Sequence, residues 1–231
     1  MTSHVNFICL KWGNKYGPEY VNRLYNSIEQ LYSGSFSFCC FTDSSLGISN
    51  KVEIQDIDEL RPNRSECFTI EKIHLFDKMQ GRNTLLDLDI LLLKDLSVYF
   101  KEYQFSEPRF IKNHWMHMDY VELSILDGTN YINSSIVTWK DDQLKYVLDF
   151  YNEHRDIIEF KYRDLDTFLF QTIRRTINFH PNDLVYSYNA SEYEDHDYSA
   201  VMFNTSHGRG IELDRVTGPM KILWTGYDMV N

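Results

Sequence analysis

From Leu85 to Leu93 the chain is apolar except for two aspartates, Asp87 and Asp89, at i and i+2. In an extended chain, side chains two apart leave the backbone on the same side. Asp87 and Asp89 are therefore expected to aim their carboxylates in one direction from a strand buried on both faces. A buried, unpaired carboxylate is costly, and two in contact repel each other. A hard divalent cation, Mn2+ or Mg2+, holding a substrate diphosphate would relieve both costs, because these ions prefer carboxylate oxygens. The competing reading puts the pair at a strand end or in a turn, the ordinary setting of an isolated Asp-x-Asp. The apolar flanks on both sides raise the cation reading beside it.

The elements that must position this pair follow from the pattern around it. Val5 to Leu10 reads as a buried strand, and Lys11 to Gly17 as a loop with two glycines. Pro18 opens a helix at a position where its missing N–H costs nothing. Val21, Leu24, Tyr25, Ile28, Leu31 and Tyr32 follow at helical spacing, and Ser33-Gly34 stops them. Phe36 to Thr42 is a second strand, Val52 to Ile54 a short third, and 66–79 a helix carrying Phe68, Ile73, Leu75, Phe76 and Met79. The Asp87/Asp89 strand comes next. This rhythm is that of an α/β domain with a mainly parallel sheet. Arg109 to Lys112 and Tyr131 to Trp139 read as further strands. Asp141 or Asp142 can cap a helix through about His154, and Asp164 or Asp166 another through about Ile177. Beyond His180-Pro181 the chain reads as mostly loop, with short apolar pieces at Ala200 to Phe203 and Ile222 to Trp224.

Composition narrows the classes. A chain of 231 residues suits one sizeable core, and with no linker or repeat the expectation is one domain over 1–231. Formal net charge is −11, which argues against a nucleic-acid binder but leaves room for an anionic nucleotide neutralised by a metal and local cations. Cys9, Cys39, Cys40 and Cys67 form no Cys-x-x-Cys pair, and the first three lie in apolar runs. Reduced thiols in a cytoplasmic protein are expected. The N-terminus shows no signal peptide, and no apolar stretch nears the roughly 20 residues a membrane span needs.

In open α/β sheets ligands bind beyond the carboxyl ends of the strands. Four features fall at such ends: the Trp12-Gly13-Asn14-Lys15-Tyr16-Gly17 loop, Thr42-Asp43, Asp87-x-Asp89 and the segment after Tyr131. The ordered set extends further. It includes Cys9 to Gly13 with Tyr16 to Leu24, Cys40 to Asp43, Lys72 to Phe76, Leu86 to Asp89 with Lys94-Asp95-Leu96, and Ile132 to Val137. Over residues 6–140 this set resembles the GT-A-fold nucleotide-sugar glycosyltransferases, in particular bacterial members of the glycogenin and lipopolysaccharide-galactosyltransferase group. The fold so implied is a Rossmann-like, mixed but mainly parallel sheet flanked by helices, with an irregular C-terminal segment over the cleft, a nucleotide-binding half at about 1–100 and an acceptor-side half at about 101–231.

The resemblance also implies roles. Trp12, Gly13 and Tyr16 would face the nucleotide base, with Tyr16 able to stack on it, and Asp43 would lie near the ribose or base. Lys72 would reach the donor diphosphate or sugar. Asp87 and Asp89 would hold metal, ribose and diphosphate, and Asn133 and Ser134 would line the sugar site, although Ser135 stands where such enzymes often carry glycine. A late histidine often completes the metal site. His207, followed by Gly208 and Arg209, is the candidate, with Arg209 replacing a phosphate-binding lysine, while Asn204 also falls near the usual histidine position. Asp166 occupies the place of an Asp-Gln pair but lacks the glutamine, and it competes with the N-cap reading.

The implied activity is metal-dependent transfer of a sugar from a nucleoside-diphosphate donor, a UDP-sugar first, to a glycan, lipid-linked glycan or protein acceptor. The kinship leans towards retention of configuration in a hexosyltransferase. An inverting enzyme would need a carboxylate base, for which Asp119, Glu122, Asp127 and Asp166 are available. The alternatives are an inactive nucleotide-sugar-binding domain of the same fold and a metal-dependent phosphoesterase or nuclease, which the acidic charge and thin ligand set disfavour.

Overall fold

A computed structural model of the protein describes residues 4–57, 69–100, 105–113, 132–162, 164–173, 176, 178–188, 198–202 and 226. Strand β1 (Val5–Lys11) is buried along its whole length. Its alternating side chains divide between two cores: Ile8 and Leu10 enter one, Val5, Phe7 and Cys9 the other. Strand β2 (Phe36–Thr42) repeats the division, with Cys39 and Phe41 on the first side and Phe38 and Cys40 on the second. Period-two alternation of uniformly apolar residues is what a sheet covered on both faces requires.

Helix α1 (Pro18–Leu31) covers one face, burying Val21, Leu24, Tyr25 and Ile28. The other face is covered by the 3-10 helix Ile70–Asp77 together with α2 (Lys145–Glu153), α3 (Arg155–Lys161) and α4 (Leu165–Ile173). The helix expected over 66–79 is, over its described part, a 3-10 helix at Ile70–Asp77. In a 3-10 helix residues three apart stack in line, and Ile70, Ile73 and Phe76 form such a buried line. Phe68 of that expectation lies outside the described residues. Of the helix expected to run to about Ile177, Leu165–Ile173 is helical, and 174, 175 and 177 lie outside the described residues.

The main sheet adds β3 (Glu53–Asp56), β4 (Arg82–Leu86), β6 (Arg109–Lys112), β7 (Ile132–Lys140) and β8 (Asn178–Phe179) in the order β3-β2-β1-β4-β7-β6-β8. Pairs β1·β2, β1·β4, β2·β3 and β6·β8 are parallel, while β7 runs antiparallel to both β4 and β6. The sheet is therefore mixed and mainly parallel, with helices on both faces. A second sheet holds β5 (Ile90–Leu92), β10 (Ala200–Met202) and β9 (Val185–Ser187), in that order. Among the described residues no helix is long and apolar enough to cross a membrane.

Candidate active site

The apolar run around the two aspartates is not one strand. β4 stops at Leu86 and β5 begins at Ile90 in the other sheet. Between them the Ile90 N–H donates to Asp87 O at 3.3 Å, closing a turn. Aspartate favours such turns because its short side chain tolerates them. The expected single strand is corrected accordingly. Leu88, 3% exposed, plugs the turn into the α1-side core. The turn is pinned to β7 by the Asp87 N–H, which donates to Ser135 O at 2.9 Å.

Because β7 runs antiparallel to β4, with Leu86 opposite Ile136, its first residues stand at the carboxyl end of β4. That register brings Asn133, Ser134 and Ser135 beside Asp87. Asn133 Oδ1 accepts from the Ser135 N–H at 2.9 Å, and Ser134 and Ser135 are buried.

The 3-10 helix delivers Lys72 to the same place. Its Nζ lies 2.5 Å from Asp87 Oδ1. Burial alone would lower the Lys72 pKa, but Asp87, Asp166 and Asp89 together outweigh it and hold the pKa above the ordinary lysine value. Asp166 sits in the first turn of α4, and its Oδ1 accepts from the Ser134 N–H at 2.9 Å. Desolvation pushes its carboxyl up to about 6; Lys72 and the Ser134 hydroxyl pull against this, while Asp164 and Asp87 add to it. Asp166 is not the helix cap. Asp164 takes that role, accepting from the Thr167 N–H at 2.7 Å and the Thr167 hydroxyl at 3.0 Å. The N-cap alternative for Asp166 is corrected, and its carboxylate is left facing Lys72.

Asp89 is 5% exposed. The Tyr16 hydroxyl lies 3.4 Å from its Oδ2, a long hydrogen bond that ties the loop after β1 to the acidic turn. At the base of that loop Gly13 has φ +60°, and its N–H donates to Asp43 Oδ2 at 2.8 Å, joining the ends of β1 and β2. An added Cβ on Gly13 would meet nothing within 4 Å, so the demand for glycine is conformational. Trp12 packs against the core on the 3-10 helix side, and Tyr16 against that on the α1 side.

Trp12, Gly13, Tyr16, Asp43, Lys72, Asp87, Asp89, Asn133, Ser134 and Asp166 thus all lie at the carboxyl ends of β1, β2 and β4 or on elements packed there. His207, Arg209 and Asn204 lie outside the described residues, as do Asp119, Glu122 and Asp127. In the second sheet Met202, the last described residue of β10, pairs with Ile90, next to Asp89. One residue went unassigned in the sequence. Lys15 carries its Nζ 4.7 Å from the centre of the Tyr16 ring. Its position immediately before an expected base-stacking tyrosine was the available signal.

Asp87 and Asp89 supply oxygen donors of the kind a hard divalent cation prefers. Among the described residues no cluster of three or more His, Cys, Asp or Glu surrounds such a point. The two carboxylates fit such an ion, with phosphate oxygens, water or a later residue left to complete its coordination.

No protein-family model matches this sequence, and no curated protein does. Solved structures match its fold. The galactosyltransferase LgtC, solved with donor and acceptor sugar analogues, is 10% identical with a TM-score of 0.58, over 87% of each chain. The glycosyltransferase GlyE of Streptococcus pneumoniae is 10% identical with a TM-score of 0.66; the match covers 99% of this chain and 61% of that one. Mouse xyloside xylosyltransferase 1 is 11% identical with a TM-score of 0.56, over 88% of this chain and 98% of that one. At such identities the likeness is one of fold.

Proposed function

We propose that this chain, which has the GT-A fold of glycosyltransferases, transfers a sugar from a nucleoside-diphosphate donor, a UDP-sugar first, to a glycan, lipid-linked glycan or protein acceptor. The observation that carries the proposal is the convergence of Asp87, Asp89, Asp166 and Lys72 at the carboxyl ends of the parallel strands, where α/β sheets hold ligands. Three carboxylates around the Lys72 ammonium leave negative charge to be balanced, and a donor diphosphate adds more. A divalent ion, Mn2+ or Mg2+, held by Asp87 and Asp89 would supply that balance and stabilise the departing diphosphate.

The chain's own groups have distinct tasks in this reading. Lys72 holds Asp87 in place and offers positive charge to the diphosphate. Tyr16 and Gly13 shape the nucleotide side, with Trp12 beneath them and Asp43 fastening the loop. Asn133 and Ser134 line the sugar side at the start of β7. Asp166 presents a carboxylate across from Lys72, suited to stabilising positive charge that develops on the sugar. A retaining hexosyltransferase, which needs no separate base, suits a carboxylate so placed. His207 would serve as a third metal ligand and Arg209 as a phosphate contact. From Met202 to His207 is five residues, a reach of up to about 17 Å, so the pairing of Met202 with Ile90 supports a return to Asp89.

The test is a thermal-shift panel of UDP-, GDP-, ADP-, CMP- and dTDP-sugars with manganese, followed by donor hydrolysis with and without the metal. Ligand at a hundred times its Kd adds about 2.7 kcal/mol of apparent stability. One nucleotide class should stand out and be turned over slowly to the free sugar. Binding without turnover towards any acceptor would favour an inactive sugar-nucleotide-binding domain, and no binding at all would overturn the reading.

A further inference from the structure

Two ammonium groups stand beside the acidic turn, one bonded to Asp87 and one over the ring of Tyr16, which reaches Asp89. Lys72 approaches from the 3-10 helix and is bonded to Asp87. Lys15 approaches from the loop between β1 and α1. Its side chain is exposed, and among the described residues it makes no salt bridge. Partial desolvation lowers its pKa and Lys72 lowers it further, while Asp89 and Asp87 act in the opposite sense. Geometry sets it in the same place: the ring beneath its ammonium belongs to Tyr16, whose hydroxyl reaches Asp89.

Its resting contact is the face of the Tyr16 ring, 4.7 Å from Nζ. Tyr16 is itself fixed by its hydroxyl at Asp89 Oδ2 and by edge-to-face packing on Tyr20, centroids 4.9 Å apart. An ammonium over an aromatic face at an exposed site is held weakly. The tyrosine thus parks a cation beside two carboxylates, free to move to a stronger anion.

We propose that Lys15 is a second diphosphate-binding cation of the donor site, leaving the Tyr16 ring to contact the phosphates of a nucleoside diphosphate from the side opposite Lys72. This rests on the donor reading above and adds to it a residue and a phosphate-count preference. A single phosphate next to the nucleoside can be served by Lys72. The diphosphate spans further and carries more charge, so it gains most from the second ammonium. A charge-assisted contact of this kind should be worth about ten- to a hundredfold in affinity.

The test is isothermal titration of wild type, Lys15→Met and Lys15→Arg with UDP, GDP, ADP, CDP and dTDP, each beside its monophosphate, with manganese and with chelator. Lys15→Met preserves length and removes charge, and its thermal midpoint should match wild type because Lys15 is exposed. The expected result is a ten- to hundredfold loss for the diphosphate that wild type binds, a much smaller loss for the monophosphate, and recovery of most of the affinity in Lys15→Arg. Lys15→Met binding the diphosphate as wild type does would overturn the proposal. So would equal losses for diphosphate and monophosphate, which would mean that the residue only shapes the loop. Wild type binding none of these nucleotides would remove the donor reading itself, and this proposal with it.

Discussion

Lys72 Nζ stands 2.5 Å from Asp87 Oδ1, between side chains that are 12% and 24% exposed. The cation that the acidic turn demands is thus supplied in part by the chain itself. A pair so little exposed lies between the surface case, worth up to about 1 kcal/mol, and the buried case, where loss of one partner costs about 3–5 kcal/mol. Lys72→Met should therefore destabilise the protein by about 2 kcal/mol in urea denaturation. Lys72→Met combined with Asp87→Asn should cost less than the sum of the single changes, because the second removes the charge that the first leaves unpaired. Strict additivity would mean that the pair contributes nothing.

Asp89→Asn should abolish manganese-dependent donor turnover while the thermal midpoint of the metal-free protein shifts little. Altering groups that merely orient metal ligands costs about 10–100-fold in metal affinity, so loss of a direct carboxylate ligand should cost at least that. Asparagine keeps the size of the side chain and can still meet the Tyr16 hydroxyl. Manganese titration with and without nucleotide checks this. Undiminished turnover in Asp89→Asn would remove Asp89 from the metal site.

The alternation in β1 and β2, the helical spacing of α1 and the order of strands and helices were readable because each depends on local pattern. The turn at Asp87 was not. Leu85 to Leu93 is apolar enough for a strand, and only the hand-over of β5 to a second sheet, paired with β10 more than a hundred residues away, breaks it. The Asp164/Asp166 choice was likewise undecidable locally: both can cap, and the outcome depends on the Ser134 N–H arriving from β7. Lys72 was legible as a position but not as the hub of three carboxylates, which needs the 3-10 helix to lie against the sheet. His207 and Arg209 lie outside the described residues and remain expectations of the sequence.

His207 offers a pH test of its own. A metal-bound imidazole must be neutral, so manganese affinity should fall as pH drops through about 6–7. His207→Ala should lose much of the affinity, yet less than Asp89→Asn, because two carboxylates remain. Metal with nucleotide should also protect residues near 204–210 from proteolysis. Unchanged manganese affinity in His207→Ala, with no protection of that segment, would leave the ion to Asp87, Asp89, substrate and water.

Asp166 gives a prediction whose sign is fixed by its surroundings. Desolvation raises its carboxyl from the ordinary 3.8 to about 6. Between those values the folded protein holds a proton that the unfolded chain has released, so stability declines as pH rises from about 4 to about 6 and levels off above. Two pKa units correspond to at most about 3 kcal/mol. Asp166→Asn has no such proton to lose. Chemical denaturation of metal-free protein at steps from pH 4 to pH 7 should therefore show the variant gaining on wild type across this interval. Lys72→Met should move the transition upward, because the ammonium that favours the ionised carboxylate is gone. In turnover the same group should appear with the opposite benefit: if the ionised carboxylate stabilises the transferring sugar, kcat/KM rises with pH through about 6 in wild type. A constant stability difference between wild type and Asp166→Asn over the whole range would place that carboxylate in an ordinary solvated setting and remove the basis for its catalytic role.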